Sequence, residues 1–119
     1  MQLSDLNARF KWTRDKRFWD SWRRLRGSGP LTGDCDDYAV TALHIACGGW
    51  TGFWGALVTY QACFWLTRLR DGELHMMVWH KGRGWIDNAH PLWGPRQLPK
   101  LFPMPWPVVA LKLMMGLIR

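Results

Sequence analysis

Residues 33–39 read Gly-Asp-Cys-Asp-Asp-Tyr-Ala, and this stretch decides the fold that the sequence predicts. Apolar residues at helical spacing follow it and two glycines end the pattern, so we expect a helix over about 35–47 with Thr32 or Asp34 as its N-cap. The first turn of a helix offers unpaired N–H groups and a partial positive charge, which favour a thiolate over a thiol. The same N–H groups can bind the oxyanion that forms when a carbonyl is attacked. The stretch therefore predicts that Cys35 is a nucleophile.

The segment before this helix is strongly basic. Residues 4–26 place apolar side chains near helical spacing with charges at the other positions, which predicts a first helix that ends at Gly27. Tryptophans are interleaved with the charges, and the net charge of the chain is +7. A solvated helix face accounts for this pattern, and a surface for nucleic acid or anionic membrane is the alternative. The basic residues that would form such a surface are Arg14, Lys16, Arg17, Arg23 and Arg24.

The second half of the chain carries β signals. Residues 50–60 fit a short helix or the start of a strand equally well, whereas the compact apolar run at 63–67 and the runs at 75–79 and 85–88 predict an antiparallel meander. A proline-rich segment follows, which excludes a regular helix or a central strand, and residues 108–117 then pack back as the last element. Helices followed by a meander indicate an α+β fold.

Length and composition limit the remaining possibilities. The 119 residues, 48% hydrophobic and 21% charged, fit one folded domain over 1–119 rather than a disordered chain. The three cysteines match neither a zinc site nor a disulfide framework, which favours a reducing compartment. The first nine residues show no signal peptide, and the apolar stretch 108–118 is too short to span a bilayer. These features predict a cytoplasmic protein.

Two further residues complete a catalytic arrangement with Cys35. His75 begins one predicted strand and Asp87 lies on the next, so the hairpin between them brings the two side chains together. A carboxylate at Asp87 fixes the tautomer of the imidazole and leaves its other nitrogen for the thiol. The acidic residues around Cys35 have two other interpretations: they are helix-capping charges, or three carboxylates in four positions coordinate Ca²⁺.

The motif at 33–39, the later His75 and the stretch Ile86-Asp87-Asn88 resemble the bacterial transglutaminase-like cysteine proteinases. That family is marked by Gly-Asp-Cys-Glu-Asp-Tyr-Ala, a later histidine on a strand, and Leu-Asp-Asn. The resemblance covers about residues 6–90, and the compact length is similar to that of phage- and prophage-encoded members. Two departures from the pattern are Asp36 in place of the glutamate and the absence of the export signal that secreted members carry.

The resemblance implies a papain-like, transglutaminase-like fold with helices packed on a small antiparallel sheet. It also implies a triad of Cys35, His75 and Asp87 that needs no cofactor, and in calcium-dependent members a metal site that corresponds to Asp34 and Asp36. We therefore expect a cysteine peptidase or amidase that acts on a peptide or Gln-type amide through a thioester. The alternative is a catalytically vestigial basic module that binds nucleic acid or anionic membrane. We also expect one of Trp79, Trp85 and Trp93 to shape the substrate groove.

Overall fold

A computed structural model describes residues 1–13, 22–68, 72–96 and 98–117. Within these ranges the chain forms four helices and seven strands in an α+β arrangement. In chain order they are α1 (Leu3–Arg9), β1 (Phe10–Trp12), β2 (Leu31–Gly33), α2 (Cys35–Ala46), α3 (Trp50–Val58), β3 (Ala62–Arg68), β4 (Leu74–His80), β5 (Gly84–Asp87), β6 (His90–Gly94), β7 (Phe102–Met104) and α4 (Trp106–Leu117).

The main sheet has five strands in the order β6-β5-β4-β3-β7, and every neighbouring pair is antiparallel. The meander predicted from the sequence is therefore confirmed as β3–β5. The proline-containing strands β6 and β7 lie at the two edges, where a residue without an N–H group leaves no central ladder bond unmade. The short β1 and β2 form a separate parallel pair.

One face of the main sheet packs against the helices. Phe64, Val78 and Ile86 lie side by side on β3, β4 and β5 and are fully buried in the hydrophobic core. Helix α2 contacts β4 and β5, and its residues 36–43 are all buried. Trp22 closes the core from the chain before α2, with its ring centroid 5.1 Å from that of Phe64. The predicted helix over 35–47 is confirmed to within one residue.

The predicted helix over 4–26 is wrong beyond Arg9. Residues 10–12 are a strand, and residues 22–26 are not helical. Phe10–Trp12 pairs in parallel with Leu31–Gly33, so a pairing with residues some twenty positions away overrides the helical spacing of the local sequence. Residues 14–21 of that prediction lie outside the described residues. The ambiguous segment 50–60 is helical over Trp50–Val58.

Candidate active site

The first turn of α2 is fixed by an N-cap. Asp34 has extended backbone angles, and its Oδ1 accepts hydrogen bonds from the backbone N–H groups of Asp36 (3.1 Å) and Asp37 (3.2 Å). Of the two caps that the sequence allows, Asp34 is therefore the one used. Cys35 is the first residue of the helix, half-buried against the core, and its Sγ donates to Asp36 Oδ1 at 3.8 Å.

A second aspartate of the motif connects α2 to the chain before it. Asp37 is buried, and its Oδ1 accepts from the backbone N–H of Arg23 at 3.0 Å. One turn later, Thr41 Oγ1 accepts from the N–H of Leu25 at 2.8 Å. A Cβ at Gly33 would lie 2.8 Å from Asp37 Oδ2, so glycine lets the strand approach this carboxylate closely. Asp37 thus has a structural role.

His75 and Asp87 are in contact, as the hairpin predicted. The Nε2 of His75 lies 3.3 Å from Oδ1 of Asp87, and both side chains are buried. Val78 pairs with Ile86, so Asp87 lies opposite Met77 and diagonally across from His75. The contact is within ion-pair distance but is not aligned as a hydrogen bond of the ring nitrogen. This arrangement leaves Nδ1 as the nitrogen for a second partner.

Arg96 is a third member of this cluster, and the sequence did not predict it. Its Nε donates to Asp87 Oδ2 at 2.9 Å and its Nη2 donates to Oδ1 at 3.4 Å. Asp87 Oδ1 also accepts from the backbone N–H groups of Ala89 and His90, both at 2.8 Å. Arg96 lies in the proline-rich segment beyond β6, where no local pattern marks it. β6 starts opposite Asp87 and runs away from it, and the long side chain of Arg96 reaches back to the carboxylate.

These contacts keep Asp87 ionised. Burial on its own would raise the pKa of Asp87, but the close contact with His75, the hydrogen bonds from Arg96 and the positive charges of both residues outweigh burial and lower that pKa. The carboxylate therefore remains an anion at neutral pH. The charge of Asp87 extends to Tyr38 on α2: burial first, and then this charge, raise the pKa of the phenol.

The C-terminal end of α2 lies at the turn between β4 and β5. Arg83 Nη2, in the turn between β4 and β5, donates to the carbonyl of Ala46 at 3.2 Å, so the end of α2 lies at that turn. The twelve residues of α2 extend about 18 Å, and β4 from His80 back to His75 extends about 17 Å. These lengths favour a position of Cys35 near the His75 end of β4, and that proximity stays a prediction.

Side chains along β4 alternate between the two faces of the sheet, and this alternation sets the face on which His75 lies. His75 projects on the sheet face shared with Met77 and Trp79, whereas Val78 projects into the core beneath α2. A contact between Cys35, on the α2 side, and His75 stays a prediction. The other two cysteines belong elsewhere: Cys47 follows α2 and Cys63 lies on β3, and burial raises the pKa of both thiols.

At the predicted calcium site of Asp34 and Asp36, one carboxylate oxygen is already engaged in the helix cap. Asp34 Oδ1 already accepts two backbone N–H groups. Within the described ranges, no group of three or more His, Cys, Asp or Glu side chains is arranged to hold a metal ion. No step of the chemistry below uses Ca²⁺. Calcium binding through Asp34 and Asp36 stays a prediction.

A pair of variants separates the cap from the metal. Asn caps a helix about as well as Asp, whereas Ala removes the cap. We expect Asp34→Ala to lower the free energy of unfolding by about 1 kcal/mol and Asp34→Asn to be close to wild type, as measured by urea denaturation. The same titrations with added Ca²⁺ and with EDTA provide the control. A calcium-dependent stabilisation that Asp34→Asn abolishes would instead assign Asp34 to a metal site.

The predicted basic surface is only partly described. Arg14, Lys16 and Arg17 lie outside the described residues, whereas Arg23 is exposed and Arg24 is half-buried.

Comparisons with known proteins do not assign the chain to a family. A scan against protein-family models finds no match for the sequence, and a search of the curated proteins finds none either.

Proposed function

We propose that the chain is a cysteine peptidase or amidase with a papain-like, transglutaminase-like arrangement of Cys35, His75 and Asp87. The observation that carries the proposal is the buried contact of His75 with a carboxylate that is held as an anion, in a chain that also has Cys35 as the first residue of a capped helix. A cysteine, a histidine and an acid in these roles form the general nucleophile–base–orienter arrangement.

The chemistry follows from the roles of the three side chains. His75 takes the Cys35 proton, and the thiolate attacks the amide carbonyl carbon while the backbone N–H of Cys35 donates to the oxyanion. The imidazolium then gives its proton to the departing amine, and a thioester remains on Cys35. Water, deprotonated by His75, attacks the thioester, which releases the carboxylic acid and restores the thiol. Asp87 stabilises the imidazolium through both stages.

An apolar groove opens on the sheet face of Trp79 and Trp85, and none of Cys35, His75 and Asp87 is among the described residues that line it. The groove has a volume of about 560 Å³, and its lining includes Trp65, Trp79 and Trp85 from adjacent strands. Lys100 Nζ lies 5.1 Å from the centroid of the Trp85 ring. Aromatic walls with one cation suit an extended peptide that carries apolar side chains and a carboxylate. Trp79 and Trp85 line this groove, whereas Trp93 packs against the core, and a role of any of the three in substrate binding stays a prediction.

Selective alkylation of Cys35 tests the proposal without a substrate. A thiolate maintained by an imidazolium reacts at a pH where an ordinary thiol is protonated, and its lower basicity offsets only part of that gain. We expect iodoacetamide to modify Cys35 about 10-fold faster than an ordinary thiol at pH 6, as read by mass spectrometry of peptides. Cys47 and Cys63 are internal controls, since burial raises the pKa of both thiols.

The variant His75→Ala shows whether the imidazole causes the faster alkylation of Cys35. The variant is expected to bring the reactivity of Cys35 down to that of an ordinary thiol while the circular dichroism spectrum stays native. His44→Ala is the matched control, because His44 lies near the end of α2 and its ring packs 4.7 Å from that of Trp50. Equal rates at all three cysteines in the wild type would refute the proposal and would favour the vestigial module.

A further inference from the structure

Helix α4 exposes an apolar stripe. Leu111, Met114 and Leu117 are 56%, 64% and 85% exposed, and their spacing of three residues places them along one side of the helix. The single charged residue of α4 is Lys112. None of the described helices is long and apolar enough to cross a bilayer. The three exposed side chains form an apolar stripe on the surface of α4.

Three arginines are held beside this stripe. The backbone N–H of Trp22 donates to the carbonyl of Lys112 at 3.0 Å. Gly116 approaches the same segment so closely that a Cβ there would collide with the Trp22 carbonyl. These two contacts join α4 to the segment that starts at Trp22. The three arginines of that segment are Arg23, Arg24 and Arg26.

The arginines and α4 line one groove of about 720 Å³. Its other walls include Trp50 and Trp54 from α3, and the guanidinium of Arg24 lies 6.0 Å from the centroid of the Trp50 ring. No acidic residue is among the described side chains that line it. The groove thus combines positive charge, indole rings and exposed aliphatic side chains. We refer to this groove and the α4 stripe together as the α4 surface.

We propose that the α4 surface binds the surface of a membrane that contains anionic lipids. An interfacial helix inserts its aliphatic side among the acyl chains, while arginines contact lipid phosphates and tryptophans lie at the headgroup level. Nucleic acid would engage the arginines but would leave Leu111, Met114 and Leu117 in water. A second copy of the chain would bring like-charged surfaces together, since the net charge is +7.

Vesicle co-sedimentation of the full chain tests this inference. The probes are phosphatidylcholine vesicles with and without phosphatidylserine. We expect phosphatidylserine to increase binding at least 10-fold, and the variant with Arg23→Gln, Arg24→Gln and Arg26→Gln to reduce binding to these vesicles about 100-fold. The variant with Met114→Ser and Leu117→Ser is expected to reduce it about 10-fold.

A control variant and the outcomes that would overturn the inference complete the design of this test. Leu92→Ser removes a comparably exposed side chain (64%) from the edge strand β6, and we expect it to leave vesicle binding unchanged. Binding to phosphatidylserine-containing vesicles that is unchanged in the variant with Met114→Ser and Leu117→Ser would overturn the inference. So would tight, salt-sensitive binding to a DNA duplex without binding to vesicles, or a dimer in analytical ultracentrifugation that Leu117→Ser dissociates. None of these readouts depends on hydrolysis, so they do not test the proposed function.

Discussion

The Cys35→Ala variant is expected to lose amide hydrolysis, with kcat/KM at least about 10³-fold below that of the wild type. The thiolate forms the covalent bond to the acyl group, and no other side chain can replace it. The fold is expected to survive, since Cys35 is half-buried and α2 is capped by the side chain of Asp34. Hydrolysis is measured on a mixture of denatured proteins, in which mass spectrometry detects new chain ends and conversion of glutamine to glutamate.

Matched cysteine variants make this result specific. Cys47→Ala and Cys63→Ala remove thiols that lie outside the predicted triad, so both should retain turnover. New chain ends would identify a peptidase, and glutamate without new chain ends would identify an amidase. Hydrolysis by the Cys35→Ala protein would place the activity on another residue and would end the assignment of Cys35 as the nucleophile.

Local signals explain why the helix at Cys35 and the meander were predictable. The cap, the apolar spacing and the turn residues around 81–84 are all contained within short stretches, and each reports directly on backbone geometry. The contact of His75 with Asp87 was predictable for the same reason, because a tight hairpin determines which residues face each other. The papain-like classification stays a prediction.

The strand at residues 10–12 and the contact of Arg96 with Asp87 depend on interactions that no local sequence pattern predicts. Residues 10–12 have helical spacing, yet they form a strand because Leu31–Gly33 offers a partner after a long connection. Arg96 is one of many arginines in a basic chain, and only the fold of the segment beyond β6 brings its guanidinium to Asp87. The sequence predicts the negative charge of Asp87, but it does not predict that the guanidinium of Arg96 is the cation paired with it.

Removing the guanidinium of Arg96 is expected to destabilise the protein strongly. In Arg96→Met, Asp87 stays buried without its closest cation, and loss of one partner of a buried ion pair costs about 3–5 kcal/mol. We expect the lower end, about 3 kcal/mol, because Arg96 is 20% exposed and two backbone N–H groups still donate to Asp87. Urea denaturation at pH 7 measures the change in the free energy of unfolding.

The pH dependence of this loss identifies its cause. In the wild type the native pKa of Asp87 is lowered, so its ionisation stabilises the fold above the unfolded value of about 3.9, and this stabilisation is lost as pH falls through the native pKa. In Arg96→Met the effect of burial on that pKa is less opposed, and acid protonates the carboxylate that had lost its partner. The stability difference between the two proteins should therefore narrow from pH 7 to pH 3.

A double variant separates the charge from the packing of the arginine side chain. Asp87→Asn/Arg96→Met removes both charges, so it should be more stable at neutral pH than Arg96→Met alone, as replacement of a whole buried pair is often nearly neutral. A pH-independent loss, equal in the single and double variants, would mean that Arg96 acts through its methylenes alone. The predicted coupling would instead show that Arg96 maintains the anion on which the imidazolium of His75 depends, although it lies outside the triad.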